Sequence, residues 1–518
     1  MNAAREVPPP RPNPGATLAV VLLGVLVVPM SISGAAVALP GIGRDLDTSG
    51  APLMWVVHIY NLLFATVTLV AGSLSDLFGR RRIFVTGGAL FALGSLVSAL
   101  APHILVLDLA RAVAGVGAAG VLASAGAILA TTFDGAARTR AFAAMGTVVG
   151  VGIAFGPTLS GWLVGGLGWR AGFLFYVVVQ AVVLVGSVRI AESRAAERPR
   201  VDKPGVLTFV LGLALVMTGL VEGPETGWGD PLIVGALVLG VLLLGVFVRV
   251  ERRSGHPVLD LTLIRNRRYT AWCVATLVTS VGFMGTLTFL PTYFQGASGS
   301  SASGAGATML LMTVPVLVAP QFGGWLITRG VPARLLMGLA LLLIAVGSAW
   351  LTVLRPGIGA LELSGPLVLI GIGMGVSFGI TDGQAMSQVE PERAGMAAGF
   401  LNTVRGGAEA LVLAVFGSLL ISLLQSRVGS APLAKEIAAG NLPAGPGRGA
   451  LADAFTSAWH IALWWVAGAC VAGAAVVTAM LSGRPGSGAD AAEPSGSPAA
   501  DGVTGAGTGT GTGTGARG

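Results

Sequence analysis

Charge is what this chain has least of. Asp, Glu, Lys and Arg make up 11% of its 518 residues against 53% hydrophobic ones, and the mean hydropathy is +0.81. Soluble domains carry about a quarter charged residues, so an ordinary soluble fold is excluded. Lysine is nearly absent: Lys203 and Lys435 are the two among 31 basic residues, and neither follows a glycine-rich Walker loop, which argues against an ATP-driven pump. None of the four histidines begins the His-Glu-x-x-His pair of a membrane metalloprotease. The two cysteines, Cys273 and Cys470, fall inside apolar runs, so a disulfide framework is not expected. A sequence pI near 10.2 could suggest nucleic acid, but the basic residues cluster on no soluble region, and nucleic acid is excluded as a partner. No pattern asks for a metal or an organic cofactor.

What the chain has instead is apolar runs of bilayer length. Fourteen can be counted, at about 17–39, 53–71, 83–101, 105–130, 141–164, 171–188, 205–221, 232–248, 269–294, 305–327, 335–354, 366–384, 396–424 and 458–481. The expected fold is therefore an all-α integral membrane protein. Glycine, at 79 residues, suits closely packed membrane helices. With both termini cytoplasmic, the inner segments hold 23 of the 31 basic residues, and the outer ones hold Arg44, Arg170, Arg355, Arg427, Lys435 and Arg448. Arg111 and Arg405 alone fall inside crossings. Residues 1–16 are proline-rich without the shape of a cleaved signal, and residues 482–518 are low-complexity; both read as disordered cytoplasmic tails. An outer segment at 425–457 carries a possible short helix near 434–439.

The most informative stretch is GSLSDLFGRRR at 72–82. It reads as a very short charged loop between the second and third crossings, with Gly72 and Gly79 letting the backbone turn. Asp76, Arg80, Arg81 and Arg82 sit where two helices leave the membrane and could pair in one conformation and separate in another. A weaker echo, Gly324 to Arg329 followed by Arg334, comes after the tenth crossing, with Thr328 in place of the acid. The echo divides the chain into two six-helix halves, 17–189 and 269–481, with two inserted crossings in the linker 190–268.

The 72–82 pattern resembles the signature loop of major facilitator superfamily transporters. In the fifth crossing, GIAFGPTLSG resembles the motif that marks antiporters in that superfamily, with Gly152, Gly156, Pro157 and Gly161 as its small and kinking residues. Arg111-x-x-x-Gly115-x-Gly117 resembles its intramembrane arginine motif. The same stretch spells Gly-x-Gly-x-x-Gly, but no strand precedes it, so it is not a dinucleotide site. Trp55-Val-Val-x-x-Tyr60, Trp169-Arg170, Leu290-Pro291-x-Tyr293-x-Gln295 and Asn402-Thr403-Val404-Arg405 resemble the fourteen-helix drug:proton antiporter branch. The resemblance covers about 17–481. It implies a proton-driven exporter of amphipathic organic compounds in the plasma membrane, with a small organic molecule, protons and the lipid bilayer as partners. A monomer is expected.

One departure bears on the mechanism. Where that branch carries an acid ahead of the Ala38-Leu39-Pro40 sequence, this chain has Ser31, which puts the usual proton site in doubt. An uncoupled facilitator or importer, or a transporter-like sensor, stays open as the alternative. Ionisable groups inside a membrane default to functional candidates. Asp108 and Arg111 share a helix face by spacing, as do Arg405 and Glu409; Asp382 lies near the inner end of the twelfth crossing, and Glu222 at the outer end of the seventh. Glu409, paired with Arg405, is the first candidate for proton coupling. Ser31, His58, Asn61, Phe155 and Phe289 are candidates for the substrate cavity. Met30, Phe64, Trp272, Phe283, Met284, Met374 and Phe378 would add an apolar, adaptable lining.

Overall fold

In an apolar layer every backbone N–H and C=O must find its partner inside the segment, so these runs fold as helices. The computed structural model describes residues 13–48, 51–194, 202–255, 257–300, 302–443 and 445–482. Its helices are α1 (Pro14–Asp45), α2 (Ala51–Phe78), α3 (Arg80–Leu100), α4 (Ile104–Thr132), α5 (Gly135–Leu167) and α6 (Trp169–Gly186). Then come α7 (Lys203–Thr226), α8 (Pro231–Glu251), α9 (Leu261–Arg265), α10 (Arg267–Gly296), α11 (Ala302–Thr313) and α12 (Pro315–Thr328). The chain closes with α13 (Ala333–Trp350), α14 (Ala360–Met386), α15 (Ala394–Val428), α16 (Ala431–Ala438) and α17 (Arg448–Ser482). Among the described residues thirteen spans are long and apolar enough to cross a bilayer, α11 and α12 together forming one of them. The fourteenth is α5, bent by 42° between Ile153 and Phe155. Pro157 explains the bend: it has no N–H for the Ile153 carbonyl one turn earlier.

Two expectations at the ends need correcting. Pro14, Gly15 and Ala16 belong to α1 rather than to a tail, because Asn13 caps them: its Oδ1 accepts from Gly15 N at 3.0 Å and Ala16 N at 3.3 Å. Ser482 ends α17. The remainder of both expected tails, 1–12 and 483–518, lies outside the described residues.

Helices α1–α6 pack on one another, as do α10–α17, and the α7/α8 pair lies against α2 and α15, one from each group. This is two six-helix halves with a two-helix insert. Successive helices alternate in direction, so Gly79, Asp134, Asp260 and Arg393 share one face (the Gly79 face), and Asp45, His103 and Gly168 share the other. The halves meet in a pseudo-twofold manner. Helix α2 crosses α15 at Gly72 and Gly395, and α12 crosses α5 at Gly324 and Ala143. In each case the second helix of one half meets the fifth helix of the other.

Within a half, missing side chains set the helix separation. A Cβ on Gly94 would stand 2.6 Å from the Ala110 carbonyl oxygen, and one on Gly117 would land on the Phe91 backbone nitrogen. On the face away from Gly79, Asp45 Oδ2 accepts from Trp169 Nε1 and Arg170 NH1, both at 2.9 Å. Those two donors hold the Asp45 carboxyl below the usual carboxylate range. This clamp between α1 and α6 is complete at neutral pH and is lost only as pH falls through the depressed value.

Gly117→Leu should therefore separate α3 from α4 at an overpacking cost of about 1–3 kcal/mol. Its thermal midpoint by fluorescence-detected size exclusion should fall clearly. Gly235→Leu, at a glycine whose Cβ would meet nothing within 4 Å, should match wild type.

Candidate functional site

The charged segment at 72–82 is not the loop that its composition suggests. Residues 72–78 are the last two turns of α2, Arg80–Arg82 open α3, and Gly79 alone lies between them, at φ +113°. Gly79 needs its positive φ; Gly72 makes no turn and serves instead as a contact point, since a Cβ there would land on the Gly395 carbonyl oxygen. Gly399 brings α15 onto α2 in the same way, since a Cβ there would stand 3.0 Å from the Leu69 Cα.

That closeness lets Asp76 reach across the seam. Its Oδ1 accepts from Arg80 NH2 at 2.9 Å, Arg80 Nε at 3.2 Å and the Gly395 N–H at 3.0 Å; its Oδ2 accepts from the Met396 N–H at 2.8 Å. The two N–H groups open α15, where a helix leaves its donors unpaired and carries partial positive charge. Asp76 and Arg80 are both buried. Arg81 contributes its backbone N–H to Glu192 Oε1 at 3.1 Å, and Arg82 stands exposed 3.8 Å from Glu192 Oε2. Asp76 with Arg80 is therefore the core of the motif, and Arg81 and Arg82 are peripheral to it.

The hydrogen bonds described between the halves all lie at mid-depth or toward the Gly79 face. Besides Asp76, Thr403 Oγ1 donates to Ala65 O at 3.2 Å, Arg138 NH2 to Met386 O at 2.6 Å and Gln321 Nε2 to Thr147 Oγ1 at 3.2 Å. The two halves are held to each other on this side.

Both intramembrane arginines choose other partners than helix spacing suggests. Arg111, fully buried, makes no ion pair with Asp108. Its long side chain reaches instead between α1 and α2, donating to Ser31 Oγ at 2.8 Å, Val56 O at 3.0 Å and Ser31 O at 3.4 Å, with the Tyr60 ring 4.1 Å from its guanidinium carbon. Asp108 is half-buried, and its Oδ1 has no hydrogen-bond partner among the described residues. Arg405 does not pair with Glu409. Its NH2 donates to Asp382 Oδ1 on α14 at 2.5 Å and its NH1 to Asn402 Oδ1 at 2.6 Å, while Phe378 lies 5.5 Å from its guanidinium carbon. Asp382, near the inner end of α14, is buried against that guanidinium. Glu409, one turn along α15, is half-buried and makes no hydrogen bond or ion pair among the described residues. Glu222 stays at the far end of α7, away from both clusters.

The glycines of α5 serve two different neighbours. A Cβ on Gly146 would come 2.9 Å from the Phe378 carbonyl and one on Gly150 would meet Val316, both in the other half. A Cβ on Gly152 would stand 2.5 Å from Pro29 and one on Gly156 would meet Ser33 and Met30, all on α1. A Cβ on Gly161 would stand 3.8 Å from Val37, an ordinary contact that does not require glycine.

Of the expected cavity residues, Phe283 and Phe378 meet edge-on at 5.6 Å, and the others go to separate neighbours. Ser31 is taken up by Arg111, and Phe289 stacks on Phe416 at 5.7 Å inside the second half. Met30, Trp272, Phe283, Met374 and Phe378 are buried in helix packing, where large apolar side chains fill space between helices. Phe155 is 47% exposed, His58 is half-buried with its ring edge-on to Trp55, and Asn61 is half-buried beside Tyr60.

A family model described as Major Facilitator Superfamily matches residues 21–413. The chain belongs to that superfamily. It is 33% identical over 419 residues to the multidrug resistance protein Stp of Mycobacterium tuberculosis, covering 79% of this chain and 76% of that protein. It is 35% identical over 420 residues to the puromycin resistance protein pur8 of Streptomyces alboniger, covering 80% and 83%. Among solved structures, the human organic anion transporter MFSD10 (TETRAN) superposes with a TM-score of 0.57 at 16% identity, over 88% of this chain and all of that one; this likeness speaks to the fold alone.

In this member of the superfamily, several partners carry no sequence signal. The Gly395 and Met396 N–H groups are backbone, so residue type says nothing of them. Tyr60 and Asn402 stood within patterned segments, but their partners Arg111 and Arg405 come from packing. The α5 geometry separates its glycines: Gly156→Val or Gly152→Leu should stop transport by displacing α1, and Pro157→Ala should slow it less. Gly161→Val should transport normally at matched membrane levels, as measured by dye efflux.

Proposed function

We propose that this protein is a secondary transporter that exports lipophilic or amphipathic organic compounds across the cytoplasmic membrane by proton antiport. In this reading it works as a monomer, with both termini and the Gly79 face in the cytoplasm. The named roles of its resistance-protein relatives support the direction and the class of cargo. The bias of Lys and Arg toward the Gly79 face supports the orientation. A closed Gly79 face is then one end of an alternating cycle, and the Asp76 contact must break for the other.

The observation that carries proton coupling is Glu409. It is a carboxyl group within an apolar helix, without a hydrogen bond or ion pair among the described residues, while the cation one turn away is engaged by Asp382. Such a group can take up a proton from one side and release it to the other as the halves move. Arg405, held by Asp382 in this state, is within one helical turn to receive the Glu409 charge in another. Each translocated charge is worth about 2.3 kcal/mol per 100 mV, roughly a 40-fold concentration ratio.

Efflux of a fluorescent lipophilic cation from energised vesicles tests this. Wild type should extrude the dye and lose extrusion when an uncoupler collapses the proton gradient. Glu409→Gln should lose proton-driven extrusion while retaining dye binding and passive exchange. Uncoupler-insensitive efflux by wild type would point to a facilitator, and full pH-dependent efflux by Glu409→Gln would remove this residue from the mechanism.

A further inference from the structure

The segment that follows the two-helix insert touches the seam between the halves at the place where Asp76 grips α15. After α8 the chain turns and runs back over the Gly79 face before α9. In that turn Ser73 Oγ of α2 donates to the Val258 carbonyl at 2.6 Å. Two residues later, Asp260 Oδ2 meets Arg393 NH1 at 2.5 Å, and the Asp260 N–H approaches Met396 Sδ at 3.1 Å. Ser73 lies one turn short of Asp76 in the first half; Arg393 and Met396 flank the opening turn of α15 in the second. A three-residue stretch is thus fastened to both sides of the seam.

Glu251, the last residue of α8, holds that stretch in shape. Its Oε1 accepts from the Val258 N–H at 3.3 Å and its Oε2 from the Leu259 N–H at 3.1 Å. A Cβ on Gly205 would stand 2.5 Å from Glu251 Oε1, so the glycine admits the carboxylate between α7 and α8. Val258 and Leu259 are buried, which makes the turn part of the packed structure. On the opposite face Trp228 Nε1 of the insert donates to Ser418 Oγ of the second half at 3.0 Å.

We propose that residues 258–260 form a strap by which the insert locks the Gly79 face shut, with Glu251 as its positioning residue and Ser73 and Arg393 as its anchor points on the two halves. The inference rests on the alternating cycle proposed above but not on proton coupling. Separation of α2 from α15 at this face must break either the Ser73–Val258 bond or the Asp260–Arg393 pair. The strap therefore adds to the Asp76 contact, and an insert that lies outside both halves helps set the balance between open and closed states.

Maleimide labelling of the full-length protein in membranes tests this, with Ala65→Cys as reporter in a Cys273→Ser, Cys470→Ser background. Ala65 is buried in the seam against Gly406. Asp260→Asn is the informative variant, because asparagine still caps α9 while the charge is removed. Asp260→Asn and Ser73→Ala should each raise the labelling rate about two- to fivefold. The exchange Asp260→Arg with Arg393→Asp should return it toward the reporter's own rate, which a general loosening of the fold would not do. An unchanged rate in both Asp260→Asn and Ser73→Ala overturns the strap. If Asp76→Asn raises labelling in the same preparation, that failure leaves the transport reading standing.

Discussion

The arrangement at the Gly79 face depends on one carboxylate being shared between a side chain and a helix end. Asp76 meets Arg80 within its own half and two unpaired N–H groups of α15 in the other. A carboxylate at that depth is costly without partners, and both its oxygens are occupied. All four bonds are charge-assisted or lie at a helix N-terminus, which gives the contact strength without making it permanent. The glycines come first in this logic. Gly72, Gly395 and Gly399 let the α2 and α15 backbones touch, and a side chain at any of them would move the α15 N–H groups out of reach.

The two buried arginines show contrasting ways of keeping a charge in an apolar interior. Arg111 has neutral partners: a serine hydroxyl, two backbone carbonyls and the face of Tyr60. It knits α1, α2 and α4 together, and Ser31 is sized for that bond. Arg405 has an ionic partner on a different helix, Asp382, and sits beside the seam where the halves separate. Fixed neutral contacts suit a structural cation. In the proposed cycle, an ion pair beside a second carboxyl that makes no hydrogen bond or ion pair among the described residues suits a cation that changes partners.

Much of the fold was legible in the sequence. Bilayer-length apolar runs predict where each span lies, although α2 runs to Phe78 past the expected end at 71 and α17 opens at Arg448 ahead of the expected 458. The echo of the 72–82 segment at Gly324 marks the repeat that reappears as two equivalent helix crossings. The Asp76–Arg80 pair was legible in the sequence, but the partners of the two intramembrane arginines were not. Spacing along one helix suggested Asp108 with Arg111 and Arg405 with Glu409, because same-face neighbours are all that a single sequence can display. A guanidinium on a long arm finds partners across helices, and those follow from packing. Gly72 differs from its expected role for the same reason: glycine signals both turns and close approach, and only the neighbouring helix tells which. The strap leaves no mark in the sequence because Ser73, Val258 and Arg393 are distant along the chain and none is unusual in type.

Spin labels at Phe78 and Glu392, exposed residues at the facing ends of α2 and α15, would measure the separation of the halves at this face by double electron–electron resonance. The account predicts a short distance as the main population in wild type, and a shift to a longer one in Asp76→Asn. Losing charge-assisted bonds of about 1.5–3 kcal/mol each should change the ratio tenfold or more. Identical distance distributions in the two proteins would contradict the claim that this carboxylate holds the face closed.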